Sequence, residues 1–187
     1  MDKRESLDRK HLKLSKILSL LLRHRPARFP IHLDEEGYAD LNEIMTILNG
    51  LPNFRWATRS DVEAVVQSPG RRRFEIESGR IRALYGHTAF RPTYEPVEPP
   101  DTLYHGTAPE SLGAIQREGL RPMQRQYVHL AATTETAHSI ALRHTHEPVV
   151  IGIDAARAYA DGIEFYHPTE EIYLCEHVPA EYLAQDQ

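Results

Sequence analysis

Cysteine is almost missing from this 187-residue chain: Cys175 stands alone, so no internal disulfide can form. No apolar run approaches the roughly 18 residues of a membrane-crossing helix, and the opening residues MDKRESLDRK lack the apolar core of a secretion signal. A cytoplasmic, membrane-free protein is the expectation. The phosphate-cradling patterns G-x-x-x-x-G-K-[ST] and G-x-G-x-x-G are also missing. Eleven histidines form no convincing metal pattern. His144 and His146 come nearest, but no well-spaced third ligand follows them, so no metal is expected. Cys175, set in an apolar stretch, reads as a buried thiol rather than a nucleophile.

Basic residues are missing from one end only. Residues 161–187 contain no Lys or Arg and seven acids, whereas residues 1–28 hold nine Lys and Arg against three acids. The net charge of −5 argues against a general nucleic-acid coat, yet the N-terminal end could face a polyanion. The plainer reading of the same charges is a solvated basic face.

Residues 90–100 carry four prolines and no periodicity, which reads as a semi-rigid linker. The expected domains are therefore residues 1–92, a linker over 93–101, and residues 102–187. In the first, Leu14, Ile17, Leu18, Leu21 and Leu22 follow helical spacing and Pro26 ends the helix. Asp40 to Glu43 resembles a capping box for a second helix stopped by Gly50, and a third starts after Thr58. Two strands, over 73–77 and 81–85, turn at Ser78-Gly79. Three helices and a hairpin suggest a winged helix. In the second domain, strands over 102–105, 127–131, 149–153, 163–165 and 172–175 mix with helices over about 107–118 and 134–143. Thr107 and Glu110 read as a capping box. The fold class is α+β.

Four stretches could carry chemistry. Arg23-His24 ends the first helix, where basic residues suit the negative helix pole but also suit phosphate. Among Arg71, Arg72 and Arg73, strand parity turns Arg73 away from Phe74 and the core, as a rigid phosphate clamp or as part of a solvated hairpin wing. Tyr104-His105-Gly106-Thr107 leaves a strand and enters a helix, where Gly106 would let a ligand approach the backbone, or where the turn is merely capped. Arg125 precedes a strand bearing His129, a position that more often holds a hydrogen-bonded core histidine.

Together these stretches resemble the NAD-dependent RNA 2′-phosphotransferase family, the tRNA-splicing enzymes also found widely in bacteria. The resemblance runs through Leu22-Arg23-His24, Arg73-Phe74-Glu75, Ile81-Arg82-Ala83 with Gly86-His87, Tyr104-His105-Gly106-Thr107, residues 119–123 and residues 125–130. It implies an N-terminal winged-helix RNA lobe and a C-terminal ADP-ribosyltransferase-like lobe holding NAD as co-substrate. It implies catalysis by Arg23, His24, Arg73 and Arg125, with Arg71 as the alternative third arginine. It places His105, Gly106, Thr107 and His129 at NAD, and Arg23, His24, Arg73 and His87 at the RNA phosphate. The implied reaction moves an internal 2′-phosphate of RNA to NAD through an ADP-ribosylated phosphate. Its products are a 2′-hydroxyl, nicotinamide and ADP-ribose 1″,2″-cyclic phosphate. Arginines suit this chemistry because they stay charged and bind oxygen pairs, and a histidine titrates where a proton must move. No metal is implied, and a monomer is the default.

The chain departs from the family pattern at three places. Ala131 stands where Ser is common, Tyr85 where Gln is common, and Glu170 to Cys175 replace the usual Asn-Gly-Val-Trp-Leu-Thr pattern, which changes the polar residues around the strand. Two rival functions follow from parts of the chain. One is an ADP-ribosyltransferase acting on protein or terminal nucleic-acid phosphates. The other is a non-catalytic winged-helix binding protein.

Overall fold

A computed structural model describes residues 3–68 and 72–184, and the chain divides into two compact units, Met1–Thr93 and Tyr94–Gln187. Each mixes helices with one antiparallel sheet. In the first unit, helix α1 (Lys3–Ser19) buries Leu14 and Leu18 and continues directly into a π-turn at Leu20–His24. Helix α2 (Leu41–Gly50) starts at Asp40, whose carboxylate accepts the amides of Asn42 at 2.7 Å and Glu43 at 3.3 Å. Helix α3 (Arg59–Val66) starts with a reciprocal capping box between Thr58 and Asp61.

The sheet of this unit has the order β1-β3-β2, from strands Tyr38–Asp40, Phe74–Glu77 and Arg80–Ala83. Strand β1 escapes the sequence reading because three residues give too short an alternation to register. Ser78 (φ 49°) and Gly79 (φ 78°) are both left-handed, the geometry of a two-residue hairpin turn that follows strand twist. On one face, Glu75 accepts both Arg82 Nη2 (2.8 Å) and Nε (3.0 Å). Tyr38 lies beneath Arg80 and Arg82, with guanidinium-to-ring distances of 4.3 and 4.4 Å. The other side joins the core of Leu14, Leu18, Leu21, Leu22, Leu41, Ile44, Leu48, Val62, Phe74 and Ile81.

The second unit is a six-stranded sheet of order β4-β8-β9-β6-β5-β7. Its strands are β4 Pro96–Val97, β5 Thr102–Thr107, β6 Val128–Ala131, β7 Val149–Asp154, β8 Phe165–Thr169 and β9 Ile172–Cys175. Helices α4 (Pro109–Glu118), α5 (Thr134–Ala141) and α6 (Ala155–Ala160) accompany it. The proline-rich stretch contributes β4, an edge strand, where a missing amide is tolerated. The expected capping box at Thr107 does not form. Strand β5 runs on through Thr107, paired with Val149, and Ala108 takes the cap position before Pro109. Helix α6, not read from the sequence, begins at Asp154, whose carboxylate accepts the Arg157 amide at 3.1 Å. Among the described residues, no helix is long and apolar enough to cross a membrane.

Candidate active site

The π-turn decides where Arg23 and His24 point. The Arg25 amide reaches back five residues to the Leu20 carbonyl at 2.8 Å, so the helix widens in its last turn. The Arg23 carbonyl, released from helical pairing, accepts the amides of Thr88 (3.1 Å) and Ala89 (3.2 Å). The His24 ring meets the same loop, with Nδ1 3.1 Å from Thr88 Oγ1. The loop after β3 therefore grips both residues of the pair. His24 is exposed, whereas Arg23 is only 9% exposed.

The Arg23 guanidinium lies over two rings, 5.2 Å from the centroid of Phe74 and 5.1 Å from that of Tyr85. Its Nη2 donates to the Arg73 carbonyl at 2.9 Å, and the Leu84 amide donates to that same oxygen at 3.0 Å. Arg73 thus meets Arg23 through its main chain. Its own side chain turns toward α1, where Nη1 donates to Ser15 Oγ at 3.3 Å. A cavity of about 260 Å³ opens there, with His11, Ser15, Arg73 and Phe74 in its lining. Arg71 lies outside the described residues.

His87, which the resemblance puts at the RNA phosphate, is buried in this structure. Its ring is 3% exposed and meets the edge of Phe90 at 5.0 Å. A direct phosphate contact requires that ring to leave this packing. Burial, reinforced by the charges of Arg23, His24 and Arg82, pushes its pKa down to about 3. A depressed histidine pKa means the unfolded chain binds a proton that the folded ring refuses. Stability is therefore whole above about pH 6.5 and declines as the pH falls toward the folded value. On going from pH 7 to pH 5, the wild type should lose about 2 kcal/mol more than His87→Phe, as read from urea midpoints. Parallel losses would remove His87 as the source.

The second unit brings together His105, His129 and Arg125. The His105 Nδ1–H donates to the His129 carbonyl, and the His129 Nδ1–H donates to the Tyr127 carbonyl, both at 3.0 Å. A ring nitrogen facing a carbonyl must carry a proton, so each ring has its hydrogen on Nδ1. Burial holds the His105 pKa low, against the His129 carbonyl and with the help of the Arg125 charge. A neutral His105 presents Nε2 as an acceptor. Gly106 answers to a different partner from the one its sequence setting suggests. A Cβ built there would fall 2.1 Å from the Ala137 carbonyl oxygen, so the close approach is made by α5 and not by a ligand on that side. Thr107 is half-buried at the end of β5. Burial pushes the Cys175 thiol up to about 12, which suits a packed side chain and not a nucleophile. Among the described residues, no group of three or more His, Cys, Asp or Glu is placed to hold a metal.

Sequence reasoning missed Ser15 and Thr88, and it noted Tyr85 only as a departure. Thr88 sits one residue past the Gly86-His87 pair, but nothing in the string marks it as the partner of a residue 64 positions earlier.

The family model described as "RNA 2′-phosphotransferase, Tpt1 / KptA family" matches residues 9–177. The chain belongs to this RNA 2′-phosphotransferase family. It is 37% identical over 172 residues to the "Probable RNA 2′-phosphotransferase" of Acetivibrio thermocellus, covering 91% of this chain and 94% of that protein. It is 40% identical over 175 residues to the protein of the same description from Streptomyces coelicolor, covering 92% and 93%. It is 40% identical over 182 residues to "Probable RNA 2′-phosphotransferase 2" of Archaeoglobus fulgidus, covering 96% and 81%. Arg23, His24, Arg73, His105, Arg125 and His129 all lie inside the span matched by the RNA 2′-phosphotransferase family.

Proposed function

We propose that this chain removes an internal 2′-phosphate from RNA by transferring it to NAD. The observation that carries the proposal is the family match over residues 9–177, with Arg23 and His24 held as a pair by one loop. NAD supplies the electrophilic ribose carbon and the hydroxyl to which the phosphate finally moves. The residues of the second unit fit such a group by their chemistry. His105 offers a neutral acceptor for a hydroxyl, His129 lies beside it, and Arg125 offers charge for an anion.

The residues of the first unit deal with the phosphate. Arg23 presents a guanidinium already held by two rings and one carbonyl, so little reorganisation accompanies binding of a dianion. His24, exposed and aligned by Thr88, contacts a phosphoryl oxygen or hands a proton to the departing 2′-oxygen. Arg73 adds fixed positive charge against the negative charge that builds on the phosphoryl oxygens, and Arg125 is the catalytic arginine that the second unit contributes. We read the first unit, with three helices and the β1-β3-β2 sheet, as a winged-helix RNA lobe and the second as an ADP-ribosyltransferase-like lobe.

An RNA oligonucleotide with one internal 2′-phosphate, incubated with NAD, should lose that phosphate and release nicotinamide with ADP-ribose 1″,2″-cyclic phosphate. A phosphate still in place after long incubation with excess protein rules the assignment out.

A further inference from the structure

Arg23 needs more than burial to be useful. A guanidinium taken out of water keeps its charge. It must then be held by its faces as well as by its edge. Here its central carbon lies over two aromatic rings, Phe74 from β2 and Tyr85 from the loop after β3, at 5.2 and 5.1 Å. Phe74 is 1% and Tyr85 8% exposed, so neither ring is a passing surface contact. The edge is met by the Arg73 carbonyl at 2.9 Å.

The two kinds of contact constrain different motions. The rings limit where the guanidinium can sit, and the carbonyl limits how it turns. Gly86 completes the arrangement. Its φ of +84° suits glycine, and a Cβ there would lie 3.4 Å from Arg23 Nη1. Residues 84–89 thus supply a ring for the side chain of Arg23 and two amides for its carbonyl.

We propose that Tyr85 is a positioning residue for Arg23: with Phe74 it forms an aromatic slot that orients the guanidinium toward an incoming phosphate. The proposal deepens the function given above and rests on it for the identity of the phosphate. The ring is the operative part of Tyr85. Its hydroxyl and its bulk are secondary, which separates this role from simple core packing.

The test compares Tyr85→Phe, which keeps the ring, with Tyr85→Leu, which keeps apolar bulk without it. Tyr85→Met gives a second ringless variant should the leucine fold poorly. In the full chain labelled with ¹⁵N-arginine, the Arg23 side-chain proton signals should be shifted upfield by the two rings. That shift should persist in Tyr85→Phe and shrink in Tyr85→Leu and Tyr85→Met. In single-turnover reactions on 2′-phosphorylated RNA, the ringless variants should be about tenfold slower, and Tyr85→Phe within about twofold of wild type. The KM for NAD should not change. Ringless variants that match Tyr85→Phe in both readouts overturn the proposal. Should the wild type leave the RNA phosphate untouched, the functional reading fails, and the upfield shift alone still decides whether the slot exists.

Discussion

Arg23→Ala should lower 2′-phosphate transfer by about 10³-fold while NAD affinity stays near wild type. The size follows from the setting of the side chain. Its charge is buried at 9% exposure and held by two rings and one carbonyl, so its removal takes away a preorganised fork of donors. The Arg73 carbonyl keeps the Leu84 amide as donor, so the β2–β3 end retains its pairing. Arg23→Lys should recover only a small part of the loss, because an ammonium cannot present a planar fork of donors. His24→Ala or Arg73→Ala should have a different signature. Both should slow the second step, so that ADP-ribosylated RNA accumulates. Single-turnover reactions resolved by gel and mass spectrometry check both points. An Arg23→Ala enzyme within about fivefold of wild type contradicts the role given to this residue. Variants of His24 and Arg73 that lose only NAD affinity contradict theirs.

Gly106→Ala should destabilise the chain by roughly 3 kcal/mol, with a fall of about 15 °C in the melting transition of the second unit. The added Cβ would lie 2.1 Å from the Ala137 carbonyl oxygen and 3.0 Å from the Ala141 Cβ. The first is main chain, and cannot swing aside as a long side chain would. Either α5 lifts from the sheet or β5 bends, and β5 pairs with β7 along all six of its residues. Gly113→Ala serves as the contrast. It lies inside α4, its nearest neighbour is the mobile end of Arg117 at 3.6 Å, and alanine there should stabilise by about 0.5–1 kcal/mol. Calorimetry on the two variants separates steric exclusion from a general effect of replacing glycine. Equal melting temperatures for both would show that α5 can yield at little cost.

The helices were legible because their signals are local. Leucines at helical spacing mark α1, and Asp40 and Thr58 cap the amides within three residues of themselves. The turn at Ser78-Gly79 was legible for the same reason, since two left-handed residues favour glycine at a two-residue hairpin. The short strands β1 and β4 were not, because two or three residues carry no measurable alternation and their partners lie far away in sequence. The capping box at Thr107 failed because a longer-range pairing with Val149 keeps that residue in the sheet. Tertiary pairing overrode a local preference worth about 1 kcal/mol.

The amino-acid order, taken alone, determined the α+β class through periodicity and turn signals, and the family through the resemblance of its motifs, which in turn implies the candidate residues. It did not determine how those residues are held. The Arg23–Arg73 bond spans 50 residues and the His24–Thr88 contact 64. The aromatic slot joins residues from the π-turn, β2 and the loop after β3. The burial of His87 and the use of Gly106 by α5 likewise arise only when distant segments pack. Orientation, protonation and close approach depend on what lies within a few ångströms, and neighbours in space are fixed by folding rather than by position along the chain.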